Sequence, residues 1–179
     1  MTTLTDIRQV LAGDALAKFD LPIEEARGLP NDAFTSQAYF DLERKTLFAR
    51  TWVFAGLASD MPDPGDVRPV DVAGRPIILT HGRAEEINAF HNVCPHRGAR
   101  LVVENLDGSA MMTCPYHAWT YAMDGKLKAR PHFHKPDCHD NRGDDNVSLF
   151  PVRCEVWHDW IFINLDGKAE PFDEHIAPV

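Results

Sequence analysis

Cys94-Pro95-His96-Arg97-Gly98 and Cys114-Pro115-Tyr116-His117 each carry one thiol, one imidazole and a proline directly after the cysteine. Seventeen residues separate His96 from Cys114. Proline and glycine make both segments loops rather than helix or strand interiors. Set at the tips of two β hairpins, such loops would bring the four side chains together. Two thiolates and two imidazoles are a complete ligand set for a metal centre, so these loops decide what the surrounding fold must do.

The flanking sequence supplies short strands. Val70-Asp71-Val72 and Ile77-Ile78-Leu79 enclose Ala73-Gly74-Arg75, the pattern of a hairpin turn. A strand over 87–91 follows the Gly82-Arg83 break, and Trp52 and Phe54 alternate at the start of the β region. Residues 147–156 and 160–165 read as a last hairpin turning at His158-Asp159, with Cys154 alternating into its core face. Segments 92–100 and 114–126 read as loops, and 132–146 as a polar stretch.

Upstream, residues 1–50 read as a helical arm with a linker. Leu4, Ile7, Val10 and Leu11 recur at helical spacing, and Pro22, Gly28 and Pro30 interrupt the pattern. Thr35 and Ser36 are candidate N-caps for a second helix to about Ala49, with Phe40 and Leu47 on one face. The expected fold class is mostly β: a small antiparallel β domain over 51–170, the arm before it, and 171–179 as the start of a connection.

The formal net charge is −9, with acidic residues scattered along the chain. That balance argues against nucleic acid, whose phosphates attract Lys and Arg. Met1–Val10 has neither a basic start nor a long apolar run, so it reads as neither signal peptide nor membrane span. The expectation is a cytoplasmic protein with no membrane partner, where thiols stay reduced and cysteines serve as ligands or core.

Composition alone leaves two metal centres open. A tetrahedral zinc ion accepts two Cys and two His. A [2Fe–2S] cluster accepts them as two thiolates on one iron and two imidazoles on the other. Zinc modules usually pair their cysteines in one knuckle and their histidines elsewhere, whereas here Cys and His alternate.

These paired boxes, the second extended as Cys114-Pro-Tyr-His117-x-Trp119, resemble those of the Rieske non-haem iron oxygenases. That family includes the large subunits of aromatic-ring hydroxylases and monooxygenases of quaternary amines such as choline. Trp52-Val-Phe and Trp160-Ile-Phe-Ile-Asn-Leu look familial too. The resemblance implies a Rieske-type β domain and a [2Fe–2S] cluster on Cys94, His96, Cys114 and His117, with Arg97, Gly98, Tyr116 and Trp119 around it. Respiratory-type Rieske proteins carry a further Cys in each box. The matching positions here are Ala99 and Tyr116, so that disulfide cannot form, and Trp119 stands where they place a Ser near a cluster sulfur. Fewer hydrogen bonds to sulfur would lower the potential. One departure is Ala118, where the family usually has Gly.

Full oxygenase subunits continue into a domain with a mononuclear Fe(II) on two His and a carboxylate. No such set is readable here: Pro136 lies between His134 and His139 and would break a helix. His132, His134, Cys138 and His139 read as a polar loop, and His81, His91, His158 and His175 as ordinary strand or loop residues. The resemblance therefore implies the electron-entry part of an oxygenase. A ferredoxin or flavin reductase would feed it, and it would serve a catalytic domain, of its own or a neighbouring subunit, in a homo-oligomer, a trimer by resemblance. A stand-alone ferredoxin-like carrier is the alternative. The N-terminal arm favours the oxygenase.

Overall fold

The computed structural model describes residue 7 and residues 9–11, 17–131 and 147–177. The expectations placed on Leu4 and on His132, His134, Cys138 and His139 lie outside them. The chain forms two compact units, residues 1–51 and 52–179.

In the first unit, α1 (Asp32–Thr35) and α2 (Gln37–Thr46) meet at Ser36, which is extended and caps α2 by accepting from the Tyr39 amide at 3.3 Å. The helix expected from Thr35/Ser36 to Ala49 is thus shorter at its C-terminal end. Phe40 and Leu47 are each about half exposed within the described structure.

The second unit is antiparallel. Its strands are β1 (Trp52–Leu57), β2 (Val67–Val72), β3 (Arg75–His81), β4 (Ile87–His91), β5 (Met112–Thr113), β6 (Thr120–Tyr121), β7 (Leu127–Ala129), β8 (Pro151–Trp157) and β9 (Trp160–Asn164). Six form one sheet in the order β1-β9-β8-β4-β3-β2, and β5-β6-β7 form a second. The Ala73-Gly74 turn joins β2 to β3 with positive φ at both residues, 52° and 74°, the twist a two-residue hairpin requires.

Strand β3 explains why Ile77-Ile78-Leu79 is a continuous apolar run. Ile77 and Leu79 enter one core with Ala89, Ile161 and Ile163, while Ile78 enters another with Cys94, Cys114, Trp119 and Tyr121. A strand buried on both faces cannot alternate polar with apolar. Each fully buried Ile or Leu stabilises the fold by about 1.5–3 kcal/mol. Thr80 then ties the two sheets, its hydroxyl donating to Met123 O at 2.7 Å.

Three expectations need correction. The last hairpin starts at Pro151, not Val147. Val147 and Leu149 are buried in an irregular segment, where the Leu149 amide donates to Gly125 O instead of to a strand. Residues 114–126 are not wholly loop, because Thr120–Tyr121 pairs with both β5 and β7. His175 sits in a short helix, α3 (Phe172–Ile176), rather than in a strand or loop.

The segment between the two ligand loops is fastened to β2 through Asp66. This buried carboxylate accepts from the Gly108 amide at 2.9 Å and the Asp63 amide at 3.2 Å, and lies 3.6 Å from Arg68. Arg68 also donates to Leu106 O and pairs with Asp107, both at 2.9 Å. Gly65 has φ +97°, and a Cβ there would lie 2.5 Å from Ser109 O, so only glycine lets the chains approach.

Burial opposes ionisation of Asp66, but the Gly108 and Asp63 amides, then Arg68 and His81, outweigh it and hold the carboxyl below its ordinary value. A lowered value means stability present at neutral pH and lost as pH falls through it. Asp66→Asn should cost about 1–3 kcal/mol in neutral denaturant unfolding. The gap to the parent chain should narrow below about pH 4; a gap constant down to strong acid would contradict this role.

Candidate metal centre

The two loops are copies of one turn. In the first, the Cys94 amide donates to Ala99 O (2.8 Å) and the Gly98 amide to Cys94 O (2.9 Å). In the second, the Cys114 amide donates to Trp119 O (2.8 Å) and the Ala118 amide to Cys114 O (2.9 Å). The fifth residue of each loop is left-handed: Gly98 at φ 72° and Ala118 at φ 57°. Glycine adopts this freely, whereas alanine pays roughly 1–2 kcal/mol.

The copies differ in where the imidazole falls, at the third residue in one loop and the fourth in the other. Both cysteines are buried, at 1% and 3% exposure, in one hydrophobic core cluster. The His96 and His117 rings are only partly buried and meet edge to face, 4.6 Å between centroids. The four donors thus form a dry sulfur pair and a wetter imidazole pair. Among the described residues, no three or more His, Cys, Asp or Glu gather as the ligands of one ion. A tetrahedral ion needs its donors about one point, while a two-iron cluster needs a pair at each end. His117 Nδ1 is buried with no hydrogen-bond partner among the described residues, a cost that a metal bond would remove.

The surrounding residues divide by exposure. Arg97 and Gly98 face solvent. Tyr116 is 59% exposed, yet its ring centroid is 3.9 Å from that of His117. Trp119 is fully buried and stacks parallel on His96, at 4.6 Å and 2°.

Sequence reasoning missed Tyr121. Its hydroxyl is 3.5 Å from Cys94 Sγ, a contact to sulfur that the two boxes do not announce. Burial, then the neighbouring sulfur, pushes the Tyr121 phenol far up, so it stays a donor. Burial pushes the Cys94 thiol up too, opposed by Tyr121 and the His96 amide and reinforced by Cys114. Trp119 and Tyr121 share a face by strand alternation, but a two-residue strand leaves too short a period to read. Cys154 is partly buried against the Ile161–Ile163 core, its thiol pushed up to about 12 by burial, as expected of a packing residue.

Residues 51–151 match the family model described as Rieske [2Fe-2S] domain. The chain belongs to this family. The Rieske domain brings with it a [2Fe–2S] cluster as its cofactor. Over 155 residues the chain is 33% identical to the carnitine monooxygenase oxygenase subunit of Escherichia coli K12, covering 86% of this chain and 40% of that one. It superposes with TM-score 0.73 and 32% identity on a quaternary ammonium Rieske monooxygenase described for carnitine oxidation and inter-subunit electron transfer, covering 83% and 40%. On naphthalene 1,2-dioxygenase with bound indole the values are 0.69 and 33%, covering 76% and 31%. The chain therefore spans about two fifths of the curated relative's length. No helix among the described residues is long and apolar enough to cross a membrane.

Ala118→Gly should relieve the left-handed alanine. We expect unfolding of the cluster-loaded chain to shift toward greater stability by about 1 kcal/mol. No gain, or a loss, would show that the alanine methyl has compensating contacts.

Proposed function

We propose that Cys94 and Cys114 hold one iron of the cluster and His96 and His117 the other, and that the domain is the electron-entry part of an oxygenase. The observation that carries this is the repeated turn, which sets a buried thiol pair and a partly exposed imidazole pair at two ends of one site. When bound, the cluster supplies one-electron acceptance and release.

The chain's own residues set the conditions. Burial keeps water from the sulfurs. Tyr121 donates to the Cys94 sulfur and favours the reduced state, because a hydrogen bond to sulfur offsets added negative charge. Trp119 fixes the His96 ring by stacking, and Tyr116 flanks His117 at the open end. That open end is where a redox partner can approach closely.

By relationship, the electrons come from a ferredoxin or flavin reductase. They pass to a mononuclear Fe(II) in a catalytic domain, of the same or a neighbouring subunit of a trimer, within the cytoplasm. The relatives named for carnitine and quaternary ammonium compounds favour a quaternary amine as the substrate of that domain.

Purified anaerobically, the chain should hold two irons and two acid-labile sulfides, and Cys94→Ser or Cys114→Ser should abolish both. One zinc per chain without sulfide would overturn the assignment. Tyr121→Phe should load normally but titrate at a lower reduction potential; an unchanged midpoint would remove the hydroxyl from the account.

A further inference from the structure

Trp119 has a charged neighbour that the ligand motif does not announce. Thr120 of β6 pairs with Ala129 of β7, so the antiparallel register carries Arg130 alongside Trp119. The side chains agree: the Arg130 guanidinium carbon lies 6.0 Å from the Trp119 ring centroid, within cation–π range. The same indole stacks parallel on His96 at 4.6 Å. Trp119 is fully buried and Arg130 only partly exposed, so this cation is less screened than a fully solvated one.

We propose that Arg130 is a positioning residue for the cluster: it braces Trp119 against His96, and its charge favours the reduced state. The inference rests on His96 being a cluster ligand. Reduction adds one electron, supplied by an external donor, and makes the centre more negative by one charge. A fixed positive charge stabilises that state over the oxidised one. The chain is otherwise acidic, at −9 overall, so a local cation works against the background field. Removing one such charge, in an effective dielectric of about 20–40, changes the reduced-to-oxidised ratio several-fold.

The test is a potentiometric titration of the iron-loaded 179-residue chain, followed by the electron paramagnetic resonance of the reduced cluster at low and high salt. Arg130→Gln should lower the midpoint, so that the reduced fraction at fixed potential falls by that ratio. Arg130→Lys should stay near the parent value, and high salt should narrow the gap. If Arg130→Gln does not load, Arg130→Met takes its place as the neutral variant, since it keeps apolar cover on the indole. Iron and sulfide content, measured on each preparation, checks the ligand assignment separately. A neutral variant with the parent midpoint, or a Lys variant displaced as far as the neutral one, would overturn the proposal.

Discussion

Everything at this centre depends on a backbone constraint: two six-residue turns, each closed by a bond from the cysteine amide and a bond back to the cysteine carbonyl. That closure requires a left-handed residue at the fifth position, met by Gly98 at ease and by Ala118 at a cost. Once both turns are set, the cysteine side chains converge inward and the imidazoles meet toward solvent. His96 and His117, offset by one residue within their turns, present their rings edge to face.

The rest of the domain serves to hold those turns in register. Asn92 does so at the base of the first loop, accepting from the Leu101 and Val102 amides and donating to Val102 O. Asp66 and Arg68 do so for the segment between the loops. Strand β3 sits beneath both, giving one face to the sheet core and the other to the core that contains the cysteines. The ligand end is therefore continuous with the hydrophobic core, so changes in packing at Ile78 or Phe90 are felt by the sulfurs.

The asymmetry of the site has a chemical consequence. Thiolates in a dry environment are costly unless metal and hydrogen bonds compensate them, and Tyr121 and the His96 amide supply the latter. Imidazoles near solvent tolerate both partner approach and charge change. On the proposed ligand assignment, a centre built this way would separate the job of retaining the cluster from the job of exchanging electrons.

Much of this is legible in the sequence, for identifiable reasons. The four donors stand in two short motifs whose Pro and Gly announce loops, and the β2–β3 hairpin is announced by Ala73-Gly74. The β3 run is readable as a strand, but not as one buried on both faces, because periodicity says nothing of a second core. Val147 and Leu149 alternate like strand residues, yet the Leu149 amide donates to a loop carbonyl, Gly125 O, which no local pattern encodes. Tyr121 and Arg130 escape notice because their roles arise from pairing across strands of two and three residues.

The central claim is that the two ends of the site are chemically different, one held by sulfur and one by nitrogen. Mössbauer spectroscopy of the chain loaded with 57Fe tests it directly. The account predicts two iron environments of equal intensity in the oxidised protein, with the added electron localised on the nitrogen-ligated iron after one-electron reduction. A single environment for both irons, or a spectrum in which both change alike on reduction, would contradict it.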